Sequence, residues 1–187
     1  MGQTKLYHCT NIENLNNIIQ SKTFWPSFCL EHADYLDESH DFSFAMVCFA
    51  DLLGTELHTH LKKFNKDCYI QMSKEWAMRN ALSTVIYYNK HSVLTSAFKQ
   101  LIRQVLSKKN TSEISDEERY LSLMMAYFKQ YEGYYWNDRE GGWSKERTVF
   151  YTEREWRFVP LPQNFEAFYL PPEDFLNKQL REEKRSE

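Results

Sequence analysis

The chain reads as an α+β fold, a β-rich core interrupted by a helical hairpin, and three features of its 187 residues predict this. Short runs of β-branched and aromatic residues alternate with short amphipathic segments over residues 5–90. Two longer segments of helical period then follow one another, at 92–109 and 116–132, and an aromatic-rich strand pattern returns at 150–160. The expected organisation is a single domain, 1–187, with its core over 4–90 and 147–172, a helical insertion over 92–132 and a charged tail over 173–187.

The elements follow in order. "KLYHC" (5–9) is a strand, and Thr10 or Asn11 can cap a helix whose Ile12, Leu15, Ile18 and Ile19 share one face. "FWPSFCL" (24–30) is extended around Pro26, and "EHADYLDESHDFS" (31–43) reads as an acidic, polar loop. "FAMVCFA" (44–50) is an unbroken apolar run, which suits a strand covered on both faces. Asp51 is placed to cap a helix carrying Leu53, Leu57, His60, Leu61 and Phe64, and "CYIQM" (68–72) returns as a strand. Ser73 caps a short helix through Trp76, and "STVIYYN" (83–89) is another strand. Ser115 and Glu118 form a capping box at the head of the second long helix, which Gly133 is expected to close. Residues 134–147 form an aromatic loop containing Gly141 and Gly142.

Composition narrows the function. The net charge of −3 and pI near 6.1 supply no global positive field for nucleic acid or an anionic membrane. Lys99, Arg103, Lys108 and Lys109 form at most a local basic stripe. The four cysteines, Cys9, Cys29, Cys48 and Cys68, show no CxxC spacing, and the chain start has no apolar leader; both suit a reduced, cytoplasmic protein. No run approaches the ~20 apolar residues of a membrane span.

Motifs for nucleotide-binding loops and hydrolase elbows are absent. His58 and His60 are two apart, so on a helix they splay by about 200° and cannot chelate one ion; no metal site is expected. His32 and His40 sit among acidic residues whose spacing fits no calcium loop. His8 ends the first strand beside a polar helix cap, where it either meets a ligand or is held by a neighbouring loop.

"FYTEREWRFVP" (150–160) poses the sharpest question. As a strand it would put Glu153, Glu155 and Arg157 on one face and Arg154, Trp156 and Phe158 on the other. The glutamates are then either a solvated face with Arg157 as counter-ion or a site that handles positive charge in a substrate.

Together, "LYHCTNIENLNNIIQS", "MVCFADLL" and "FYTEREWRFVP" resemble the ADP-ribosyltransferase superfamily in order and rough spacing. More closely, "YHCT", "FWPSFCLE", "MVCFADLL", "SKEWA", "VIYYN" and "EREWRFVP" resemble segments of the AbiG-type abortive-infection phage-resistance family, over nearly all of residues 5–160.

The transferase resemblance implies a split β-sheet core and NAD as substrate. In it Glu155 would hydrogen-bond a ribose hydroxyl and stabilise the oxocarbenium-like ribose, and Glu153 would help orient or deprotonate the acceptor. His8 and Thr10 would hold the adenosine-side ribose, the Cys9 backbone the nicotinamide amide, and Phe49 would wall the pocket. Cys48 stands where histidine-type transferases commonly carry tyrosine, which leaves His58, His60 and Tyr87 as candidates for the ring on nicotinamide. Trp136 and Trp143 would face the substrate or pack the loop.

The AbiG resemblance implies a two-component defence system. Three functions follow from the two resemblances: ADP-ribosyl transfer to a protein or nucleic acid, a non-catalytic antitoxin-like partner protein that meets a cognate toxin or antitoxin through 92–132, or NAD glycohydrolysis.

Overall fold

The computed structural model describes residues 4–34, 40–107, 114–137, 140–160, 169–177 and 181. Its spine is β3 (His40–Leu52), thirteen residues long and buried along most of its length. The apolar run predicted there extends at both ends, because each half of the strand has its own neighbours. The N-terminal half pairs with β2 (Ser27–Ala33) and β13 (Tyr169–Leu170); the C-terminal half pairs with β1 (Lys5–Thr10) and β12 (Trp156–Phe158). With β4 (Cys68–Met72) beyond β1 and β5 (Ser83–Thr84) beyond β12, the seven strands form one antiparallel sheet.

Register assigns the faces. Tyr7 pairs with Ala50, Phe49 with Trp156, and Cys48 with Arg157. Leu6, His8, Val47, Phe49, Trp156 and Phe158 therefore share one face, and Tyr7, Cys9, Cys48, Ala50, Leu52 and Arg157 share the other. On the first face lies α3 (Lys74–Arg79), whose Trp76 and Ala77 pack against Leu6, Val47 and Phe49. On the second lies α2 (Gly54–Lys63), whose Leu57 and Leu61 pack on Tyr7, Ala50 and Leu52. Both faces are core, as the absence of polar alternation in β3 requires.

Several helix starts were legible from single residues. Asn11, not Thr10, caps α1 (Ile12–Ser21) through a 2.8 Å bond from the Asn14 N–H, and Ser73 caps α3 through a 3.1 Å bond from the Trp76 N–H. Ser115 and Glu118 make the expected reciprocal pair at the head of α5 (Asp116–Met125). Asp51, by contrast, is still in β3; α2 starts at Gly54, and Glu56 reaches back to the Leu53 N–H at 2.7 Å.

Three predicted elements depart from expectation, each because tertiary pairing overrides local pattern. The acidic "loop" 31–43 supplies the end of β2 and the start of β3, joined in an antiparallel hairpin. "STVIYYN" divides at Val85, whose N–H donates to the Glu155 carbonyl, into β5 in the main sheet and β6 (Ile86–Tyr88) in another. The second long helix stops at Met125; Phe128–Gln130 forms β7, parallel to β6, and Phe128 stacks on Phe98 of α4 (Val93–Ser107) with ring centroids 3.9 Å apart. Gly133 therefore closes no helix; it sits in β8 (Glu132–Gly133), where a Cβ would meet the Gln130 side chain.

The aromatic loop is partly ordered as a ribbon, β9 (Trp136–Asn137) against β10 (Gly142–Trp143), and β11 (Thr148–Val149) pairs with β8. The short helix α6 (Pro172–Phe175) buries Phe175 with Phe28, Ala45 and Leu170. Lys108 and Lys109 of the basic stripe, and most of the predicted tail, lie outside the described residues.

Candidate functional site: a buried cluster of carboxylates and cations

"FYTEREWRFVP" is only partly a strand. Residues Phe150–Glu153 form a 3₁₀ turn, Arg154 takes a left-handed conformation at φ 46°, and only Trp156–Phe158 pair as β12. A non-glycine residue there carries strain, which two bonds offset: Arg154 Nε donates to the Asp51 carbonyl at 2.6 Å, and its Nη2 pairs with Glu56. The kink turns both glutamates inward, and Glu153 is 8% exposed and Glu155 3%.

What they meet is positive. Glu155 accepts from Arg157 Nε at 2.7 Å and Nη2 at 3.2 Å, and from Lys129 Nζ at 2.8 Å. Arg157, fully buried, also donates to Glu31 at 2.7 Å and to the Ala126 carbonyl. Lys129 lies 3.5 Å from Glu31 and 4.7 Å from the centre of the Phe150 ring. The Tyr87 hydroxyl accepts from the Glu155 backbone N–H at 2.9 Å.

Electrostatics divides the two carboxyls. Burial pushes Glu155 up, but Arg157 and Lys129 outweigh it and hold its carboxyl well below the usual range. Glu153 lacks such a partner, and its Oε1 is buried without a hydrogen bond. Burial, with the charge of Glu155 adding to it against the pull of Lys129, raises Glu153 to about 7. The core cluster thus sets two cations, Lys129 and Arg157, against the low-pKa carboxyl of Glu155 and the side chain of Glu31, while the raised carboxyl of Glu153 titrates near neutral pH. Burial also pushes the Tyr87 hydroxyl up, and His60 down to about 4.

Arg157 is the counter-ion that the alternation suggested, although the face is interior rather than solvated. Lys129 was missed, because its helical context concealed a strand position; Glu31 was hidden in an apparent loop. The sequence signal was weak in both cases: Lys129 is a lone charge after the aromatic pair Tyr127 and Phe128, and Glu31 opens an acidic stretch.

The remaining predicted site residues are dispersed. His8 lies on the other face of the sheet from Glu155; its Nδ1 is 2.9 Å from the Cys48 carbonyl and its ring packs on Phe24 and Phe49. Burial lowers its pKa. Phe49 is 1% exposed in that aromatic group with Trp76. Cys9 faces α2, and burial pushes its thiol up to about 12, which removes it as a nucleophile at neutral pH. Thr10 is buried and its carbonyl accepts from the Asp67 N–H. His58 is exposed, whereas His60 packs on Phe64 at 4.8 Å. Cys48 hydrogen-bonds the Cys29 thiol, and that bond and burial push Cys48 up.

Trp136 and Trp143 meet edge to face at 5.8 Å, and Trp136 also packs on Phe175. Among the described residues, no group of three or more His, Cys, Asp or Glu could hold a metal ion. No helix among them is long and apolar enough to cross a membrane.

Residues 22–186 match the family model described as "Putative abortive phage resistance protein AbiGi, antitoxin". The chain belongs to the AbiGi family. It is also similar to "Abortive phage resistance protein AbiGi" of Lactococcus lactis subsp. cremoris, 25% identical over 166 residues that cover 79% of this chain. The chain spans 65% of the length of that relative. No solved structure matches it.

Proposed function

We propose that the chain is the antitoxin-like component of a two-component phage-resistance system and acts by binding a cognate partner protein rather than by turning over NAD. The observation that carries this reading is the engagement of Glu155: the carboxylate an NAD reaction would need is enclosed by its own cations, on the sheet face opposite His8. A developing oxocarbenium ion would have to displace Arg157 and Lys129 to reach it. The family description, which names an antitoxin, points the same way.

Partner binding fits the surface of α4 and α5. Leu94 and Leu101 are two turns apart on α4 and both exposed, and Tyr120 and Met124, one turn apart on α5, are exposed as well. Apolar side chains of this size left in water on successive elements suit a protein contact.

One observation favours ADP-ribosyl transfer as the second reading. β1, β3 and β12 are adjacent, so the three segments that resemble the transferases lie side by side, and Glu153 keeps an unpartnered oxygen. Mixing the purified chain with its co-encoded partner and measuring complex formation, alongside label transfer from NAD, separates the two. A stable complex without label transfer is expected. Transfer that requires Glu155, with no complex formed, would overturn the proposal.

A further inference from the structure

We infer that a second site, a cavity of about 780 Å³ whose lining includes none of the glutamate-cluster residues, binds an organic cation of the guanidinium or ammonium class. Its walls come from three separated parts of the chain. The β2–β3 hairpin gives His32, Asp41 and Phe42; the β9–β10 ribbon gives Trp143; and the C-terminal stretch gives Tyr169 from β13 and Glu173 from α6. The volume lies within the ~300–1,000 Å³ typical of small-ligand sites.

Charge selects the ligand. Two carboxylates, Asp41 and Glu173, line the cavity, and among the described residues no lysine or arginine does; its other titratable groups are His32, His40, Tyr134 and Tyr169. An anion would enter against both carboxylates. A cation gains from them and from the aromatic faces of Trp143, Phe42 and Tyr169.

The lining is held in place before any ligand arrives. His32 Nδ1 and Asp41 Oδ1 are 2.7 Å apart across the paired strands. The His32 ring meets Trp143 edge to face at 5.9 Å, and Trp143 in turn meets Trp136 at 5.8 Å, which is anchored on buried Phe175. Glu173 is close enough to Tyr169 to add to the burial that raises its phenol. A preformed aromatic and carboxylate lining loses little conformational freedom on binding, which is what a weakly driven cation contact requires.

The chemistry could be supplied by an arginine or lysine side chain of a bound protein or by a free polyamine, and it does not depend on the antitoxin reading. The test titrates the intact chain with N-acetyl-arginine methylamide, its uncharged citrulline counterpart and spermidine, followed by NMR shifts of the indole N–H signals. Saturable binding of the arginine probe, without binding of the citrulline probe over the same range, is the expected result. Spermidine binding as well supports a free cation as the natural occupant; arginine binding alone supports a side chain. Glu173→Gln and Trp143→Leu should each weaken the arginine probe by about three- to thirtyfold. If Trp143→Leu does not fold, Glu173→Gln carries the test alone. Equal binding of the citrulline probe, no saturation, or indifference to the folded variants would overturn the inference.

Discussion

Glu155→Gln separates a structural carboxylate from a catalytic one. In the native cluster Glu155 accepts three charge-assisted hydrogen bonds, two from Arg157 and one from Lys129. An amide keeps the shape but presents N–H groups on one side to cations that are themselves donors, and it removes the charge. Arg157, 0% exposed, and Lys129 are left to share Glu31 and a partly protonated Glu153. Removing one partner of a buried pair costs about 3–5 kcal/mol, most of it the stranded opposite charge. For a chain of this size each kcal/mol moves the melting temperature by roughly 2–4 °C, so a fall of about 6–20 °C is expected. Thermal unfolding followed by circular dichroism reads this directly, and adding Lys129→Met should restore part of the loss by removing a stranded cation. A catalytic Glu155 in an open cleft predicts the reverse, an unchanged fold. A shift below about 2 °C would refute the structural role.

Three further outcomes follow from the same geometry. Glu153 has a folded pKa of about 7, above its ordinary value of 4.5, so the folded state binds the extra proton and its contribution is full below 4.5 and lost as pH rises through 7. Urea midpoints of Glu153→Gln should therefore gain on wild type across that window, and parallel pH curves would contradict the assignment. Phe98→Ala removes the ring stacked on Phe128 in the core under α4 and should cost about 3–5 kcal/mol by urea denaturation; a loss below about 1 kcal/mol would show that α4 is not anchored there. Cys9, with its thiol pushed up to about 12, should label more slowly with iodoacetamide at pH 8 than a free thiol, and rapid labelling seen by mass spectrometry of its peptide would contradict its burial.

The sequence made the local signals legible and the distant ones opaque. Cap residues Asn11, Ser73 and Ser115 work through neighbours three positions away, so spacing alone located them. β4 was legible at its ends, Cys68 and Met72, for the same reason. Residues 126–132 were not: the helical pattern of α5 runs on, and what stops it is β6, paired in parallel from forty residues earlier. Glu31 and Lys129 were opaque likewise, since the ionic cluster gathers charges from β2, β7 and the approach to β12. Alternation did place Glu155 and Arg157 together, but it could not foresee the left-handed turn at Arg154, which makes the pair interior. His8 and Glu155 read as one site only until register put them on opposite faces.

The most direct test of the central claim is growth of cells that express the cognate partner, with and without this chain. Neutralisation by binding predicts that the chain is harmless alone and restores growth when co-expressed, and that Glu153→Gln, which keeps the surface and eases the core, restores it equally. Arrest of growth by the chain alone, abolished by a folded Glu155→Gln variant, would contradict the account and return Glu155 to catalysis.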